Sequence, residues 1–275
     1  MLKILQITDC HLVAKGETIF GSDPHARLAA AVADINRDHA DAALCVVTGD
    51  LAHHGDPVAY ALLRETLSKL LVPYQLLAGN HDDRANLAAS FPELGMDPNG
   101  FVQSIRDTEA GRLVFLDTVD PGVHSGFFCA ARQQWLTDVL AQAQDKPVYF
   151  FMHHPPFEIA LPKLDQYAMT NGDEFAKVVE AHPDIRHIFF GHVHRPVSGS
   201  WRGIPFSALR GTNHQNWLTF DTSRVNISSL EPPGYAVIFL GGETTVVHNH
   251  DFLDQSPRFS YDPDAAPEMQ VRQIA

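Results

Sequence analysis

The chain reads as a layered α/β protein, and three observations carry that reading. Short apolar runs rich in β-formers alternate with longer stretches of helical periodicity. Two of the helical stretches begin with Asp-Pro, at Asp23-Pro24 and Asp56-Pro57; Asp caps the first unpaired N–H groups and Pro suits the first turn. Finally, successive apolar runs end in clusters of Asp, Asn and His. In an open α/β sheet the crevice beyond the strand ends is where ligands bind.

Taken in order, Leu2–Thr8 predicts a buried strand, followed by a helix from Asp23-Pro24 with Leu28, Ala29, Val32 and Ile35 on one face. Ala43–Thr48 is the next strand, a helix runs from Asp56-Pro57 to about Leu71, and Tyr74–Ala78 is a third strand. Phe101–Ile105 and Leu113–Asp117 read as antiparallel strands around a turn at Asp107–Gly111. Ala131–Gln144 is amphipathic, with Trp135, Leu136, Val139 and Leu140 inward. Val148–Met152 and His187–Phe190 are buried strands flanking a helix over Glu174–Ala181, which Pro183 stops. Beyond Pro196 the chain becomes strand-like at Val197–Trp201, Pro205–Leu209, Trp217–Asp221, Tyr235–Leu240 and Thr244–His250.

Composition narrows the function. With 20 Lys+Arg against 33 Asp+Glu the net charge is −13, which excludes a general binder of nucleic-acid polymers or anionic membranes. A phosphate substrate is still allowed, because bound divalent ions would invert the local field. Apolar residues make up 45% of 275, enough for a large core. Cys10, Cys45 and Cys129 form no C-x-x-C pair and fit a reducing compartment. The N-terminal Met1–Ile7 resembles a short signal sequence, but it runs straight into Asp9 and His11, so the cytoplasm is the expected location. No G-x-S-x-G, P-loop or G-x-G-x-x-G is present.

The chemistry sits in five segments: Asp9-Cys10-His11, Gly49-Asp50, Gly79-Asn80-His81-Asp82, Met152-His153-His154-Pro155 and Gly191-His192-Val193-His194. A single Asp or Gly-Asn at a strand end is usually a cap or a turn. Five such segments in order are the signature of a metal hydrolase. Carboxylate, imidazole and amide donors suit Fe, Mn, Zn or Co better than calcium. Alternate residues of an extended segment share a side, so Asp9 and His11 are expected to converge on one ion.

These segments resemble the calcineurin-like metallophosphoesterases over Leu2 to about Pro196, and most closely their bacterial cyclic-nucleotide and glycerophosphodiester phosphodiesterases. Gln6-Ile7-Thr8-Asp9 with His11, and Gly49-Asp50-Leu51-Ala52, are similar to the former; Met152–Pro156 and Gly211–Gln215 are similar to the latter. The resemblance implies a four-layer αββα sandwich and a two-ion site. Asp9, His11, Asp50 and His194 would hold one ion, and Asp50, Asn80, His153 and His192 the other, with Asp50 bridging. Hydroxide held between ions about 3.5–4 Å apart would attack phosphorus in line. Asp50 and His81 are then the catalytic residues, His81 stabilising or protonating the leaving alkoxide. His11, Asn80, His81 and His194 would also face the substrate, a small phosphodiester. The resemblance also implies a catalytic core over 1–200. Residues 201–253 would complete the second sheet and add a cap or dimerisation element around Gly211–Gly234, giving a homodimer or higher oligomer; 254–275 would be a polar tail.

Other members of the superfamily fit less well. Protein phosphatases carry Asp-Arg-Gly after the bridging Asp, where this chain has Leu51-Ala52-His53-His54-Gly55, and the full ligand set disfavours a non-enzymatic interaction module on the same fold. A broad-specificity phosphoesterase or nuclease is the remaining alternative. Asp82, His154 and Asp117 read as supports for ligands or as local hydrogen-bonding groups, and Cys10 as packing. His53 and His54 follow Asp50 in a loop that could reach the substrate but reads first as solvated, and His214 reads as either a pocket-rim residue or part of a structural loop.

Overall fold

The computed structural model describes residues 1–222, 225–264 and 271–274. Its elements run β1 (Leu2–Ile7), α1 (Pro24–Asp38), β2 (Leu44–Thr48), α2 (Pro57–Leu67), β3 (Tyr74–Leu77) and α3 (Arg84–Ser90). There follow β4 (Ser104–Thr108), β5 (Gly111–Phe115), α4 (Ala130–Ala141), β6 (Val148–Met152), α5 (Pro162–Asp165), α6 (Gly172–Val179) and β7 (Ile185–Phe190). The remaining strands are β8 (Val197–Trp201), β9 (Ile204–Ala208), β10 (Gln215–Asn216), β11 (Ser228–Ser229), β12 (Tyr235–Gly241), β13 (Thr244–His250), β14 (Arg258–Tyr261) and β15 (Val271–Ile274).

Both Asp-Pro starts are caps: Asp23 accepts from His25 and Ala26 N–H, and Asp56 from Val58 and Ala59 N–H. α2 ends at Leu67 rather than near Leu71. The first strand of the hairpin is displaced from Phe101–Ile105 to Ser104–Thr108, because Asp97 takes the Phe101 N–H and the Gln103 amide into a loop.

The strands form two main sheets, ordered β13-β12-β1-β2-β3 and β4-β5-β6-β7-β9-β8. They pack face to face over Ile4, Leu44, Val46 and Leu77 from one and Leu113, Phe115, Tyr149, Phe151 and Phe189 from the other. The opposite faces are covered too. α1 and α2 lay Leu28, Val32, Ile35, Tyr60 and Leu63 on Leu5, Ile7, Cys45 and Val47. α4 and α6 lay Leu136, Leu140, Phe175 and Val179 on Val114, Phe150, Met152 and Ile188. Strands buried on both faces read as unbroken apolar runs, as β2 and β6 do. The protein is a four-layer αββα sandwich.

The C-terminal strands depart from expectation. β8 and β9 join the second sheet, but β12 and β13 pair on the free side of β1 in the first, so 201–253 does not simply complete the second sheet. Trp217–Asp221 is not a strand; only the short β10–β11 pair lies nearby. Residues 254–275 include an antiparallel ribbon, β14 with β15, rather than only a tail.

Candidate metal centre

The parallel strands of both sheets end at one edge of the sandwich, and the five polar segments meet there. The expected reason for Asp9 and His11 converging is wrong. Neither residue is extended: Asp9 (φ 53°), His11 (φ 47°), Asp50 (φ 50°), His192 (φ 68°) and His194 (φ 48°) all have left-handed backbone. They are five of the eight described non-glycine residues with positive φ. Such residues cost of order 1–3 kcal/mol each and persist only where the surroundings over-determine them. Here a ladder between loops does so: Asp9 N–H donates to Gly49 O at 3.1 Å, His11 N–H to Asp50 O at 2.8 Å and His53 N–H to Leu12 O at 2.9 Å. Glycine permits the close approach. A Cβ on Gly79 would lie 2.3 Å from Asp50 N, and one on Gly49 2.5 Å from His153 Nδ1.

This folding places one donor atom from each of Asp9, His11, Asp50 and His194 within 4.8 Å of the others. His194 Nε2 is 3.3 Å from Asp9 Oδ1 and 3.1 Å from His11 Nε2. The two oxygens of Asp50 face opposite ways, Oδ2 towards His11 Nε2 (3.5 Å) and Oδ1 towards His153 Nε2 (3.3 Å). Asn80 Oδ1 lies 3.2 Å from His153 Nε2. The His192 N–H donates to both oxygens of Asp9 at 3.1 and 3.2 Å, while its Nε2 is buried without a partner.

Ring tautomers are fixed from behind, because a carbonyl can only accept. His153 Nδ1–H donates to Thr48 O and His194 Nδ1–H to His214 O, both at 2.8 Å, which turns each Nε2 into the cluster. Burial alone would raise the Asp50 carboxyl; the attraction of His153 and then His11 outweighs it and holds Asp50 well below the usual range. In return His153 is raised to about 9 by Asp50 despite burial, and His194 is raised by Asp9. Burial drives His192 down to about 3 and His11 well below its ordinary value. An orphaned buried nitrogen, imidazole Nε2 atoms turned inward and ionised carboxylates fit metal ions, whose binding would compete with protons for those nitrogens.

Around this set, His81 N–H donates to Asp50 Oδ1 at 2.9 Å and its Nδ1–H to His53 O at 2.8 Å, leaving Nε2 for the open side. Asp82 touches none of the candidate donor atoms: it accepts from Leu51, Ala52 and Gly79 N–H and from Tyr60 Oη, tying the Asp50 loop to the Asn80 loop. Asp117 is held by Arg84 and Arg132, and Cys10 is packed in the core. His154 is buried on Thr118 beside His153 and His192.

The reading of His53 needs correcting. It is half-buried, with Nδ1 3.1 Å from His11 Nδ1 and its ring stacked on His81, whereas His54 is exposed as expected. His214 packs its ring 4.4 Å from His194 in a loop that the Gln215 amide closes on Gly211 through both its oxygen and its nitrogen. A cleft of about 200 Å³ opens over the centre, walled by His124, Leu164, Tyr167, Asn216 and Asn226. The sequence reading missed these residues, which come from segments without metal-type motifs, Leu164 on α5 and Asn216 on β10 among them; the one available signal was a further histidine, His124, which accepts from the Asn80 amide at 3.1 Å.

Residues 2–196 match the family model described as calcineurin-like phosphoesterase. The chain is 43% identical to a probable cyclic nucleotide phosphodiesterase of Rhodopseudomonas palustris, covering 94% of this chain and 96% of that protein. It is 32% identical to a glycerophosphodiester phosphodiesterase of Enterobacter lignolyticus, over 94% of each chain. Among solved structures, a dimetal phosphatase from Danio rerio superposes with a TM-score of 0.70 at 16% identity, covering 92% of this chain and 97% of that one.

Proposed function

Because the chain belongs to the calcineurin-like phosphoesterase family and is a phosphoric diester hydrolase, we propose that it cleaves small phosphodiesters, 3',5'-cyclic nucleotides and glycerophosphodiesters, at a centre built for two metal ions. The observation that carries this reading is Asp50, whose two oxygens face separate imidazole groups, His11 on one side and His153 on the other. Asp9, His11, Asp50 and His194 would hold the first ion; Asp50, Asn80, His153 and His192 the second, from among Fe, Mn, Zn and Co. When bound, such a pair lowers the pKa of water and neutralises phosphate charge.

The chain's own groups supply the rest. Asn80, His81 and His194 line the approach to the phosphate, whereas His11, expected there too, is 2% exposed and is not part of the cleft lining. His81 donates its Nδ1 proton to the His53 carbonyl, which leaves Nε2 as the nitrogen free for the cleft. To protonate a leaving alkoxide from Nε2 the ring must be an imidazolium, because its Nδ1 proton is already given to the carbonyl.

Trp217, Phe220 and Leu230 are exposed around the 211–234 segment, whereas Tyr235 belongs to the core and bonds Asp34 through its hydroxyl. The exposed apolar groups support self-association, as a homodimer or a multiple of dimers, and light scattering that gives a monomer at micromolar concentration would exclude it. No helix among the described residues is long and apolar enough to cross a membrane. The three free thiols support a reducing compartment, the cytoplasm. The decisive experiment pairs elemental analysis with a panel of diesters, cyclic nucleotides beside glycerophosphodiesters. Two ions per active chain and turnover of either class is the expected result. Full activity in metal-free protein would overturn it.

A further inference from the structure

We propose that His53 is a positioning residue for the first metal ion: its Nδ1 accepts the Nδ1 proton of His11 and so keeps the lone pair of His11 Nε2 turned into the centre. This rests on the two-ion reading. The two Nδ1 atoms lie 3.1 Å apart, so one proton is shared between them and one ring donates while the other accepts. His11 Nε2 faces the cluster, 3.1 Å from His194 Nε2 and 3.5 Å from Asp50 Oδ2. A nitrogen that binds a cation carries no proton, so the proton of a neutral His11 is on Nδ1 and His53 must be the acceptor.

The other two imidazoles with a partner behind them, His153 and His194, are fixed by backbone carbonyls. A carbonyl cannot donate, and its place is set by the fold. His11 alone among these three depends on a side chain that can play either part. The His53 ring is itself located, stacked on His81 with ring centres 5.0 Å apart and 17° between planes. Its carbonyl separately accepts from His81 Nδ1. One residue therefore bears on two rings: His11 through its side-chain nitrogen, and His81 through its carbonyl and by stacking.

A substitution at position 53 leaves the carbonyl contact to His81 in place but removes the stacked ring, so the test reads metal binding and not turnover. Manganese binding to metal-free full-length protein is titrated for the wild type, His53→Ala and His53→Asn, whose side-chain oxygen stands where Nδ1 does. His53→Ala is expected to weaken the first ion by about 10–100-fold, the usual effect of removing a group that orients a ligand, with the second ion unchanged. His53→Asn is expected to recover most of that loss. In zinc-loaded wild type, imidazole ¹H–¹⁵N correlations should show His11 protonated at Nδ1. Wild-type affinity in His53→Ala, or a proton on His11 Nε2 in the loaded protein, would overturn the proposal. Failure of the underlying two-ion reading looks different: the wild type itself would then fail to take up two ions.

Discussion

In one half of the proposed two-ion centre Asp9, His11, Asp50 and His194 are 0%, 2%, 1% and 5% exposed, and each is interlocked with another of the four. In the other half His153 is fully buried, but Asn80 and His192 are half-buried. Asn80 divides its amide between His153 and the cleft residue His124, and His192 Nε2 has no partner. The donor types are similar in the two halves; the order is not. A preorganised half has already met the cost of fixing its side chains during folding, whereas the other must do so on binding. The first ion is therefore expected to bind more tightly than the second.

Asp50 joins the halves, and removing it should erase the difference. Asp50→Ala is expected to lower the metal content at both positions and to reduce activity by more than the roughly 10²-fold typical of a ligand-orienting group, and chelation of the wild type should abolish turnover. An Asp50→Ala protein that retains one tightly held ion would refute its bridging role. His81 tests the substrate side. His81→Ala should lower kcat by about 10²–10⁴-fold for alkyl diesters and much less for a 4-nitrophenyl ester, which leaves unaided, with metal content unchanged. Equal losses on both substrates would assign His81 to phosphate positioning; loss of metal would place it among the ligands. Asn80→Ala should act on one half only, weakening the second ion by about tenfold or more while the first titrates as in the wild type. Equal weakening of both ions would dissolve the distinction.

The smallest effect separates acid loss of the fold from acid loss of the centre. His187 is buried on Ser207, away from the cluster, and burial lowers it to about 4. Between that value and its unfolded pKa, about 6.5, the unfolded chain binds a proton that the native chain does not, so stability falls as pH drops through this window and levels off below it. The contribution is on the order of 3 kcal/mol at most. Chemical denaturation at pH 7 and pH 4.5 should show a smaller drop for His187→Phe than for the wild type, and an unchanged drop would disprove it.

Much of this was legible in the chain. Asp23-Pro24 and Asp56-Pro57 mark helix starts because a cap is a local bond, complete within three residues. β2 and β6 announce themselves because burial on both faces leaves an unbroken apolar run. The five metal-type segments stood out because each follows such a run. Other features were out of reach. β12 and β13 read as strands, but nothing local told which sheet they would join, since each sheet has edge strands that can accept a partner. Phe101–Gln103 has strand composition and is a loop because Asp97 captures its polar groups.

The sequence by itself determined the order and type of the main elements, the chemical class of the donors and their position just beyond strand ends. Those properties follow from periodicity and residue chemistry, which act over a few residues. Tertiary structure decided how the donors meet. The left-handed backbone at Asp9 and His11 exists because the Gly49–Leu51 segment of a neighbouring loop supplies their hydrogen-bond acceptors. The Nδ1 protons of His153 and His194 are fixed by carbonyls of Thr48 and His214, and His53 enters the centre only because its loop runs back against Leu12. Each of these depends on distance through space between residues far apart in the chain, and no local pattern encodes that.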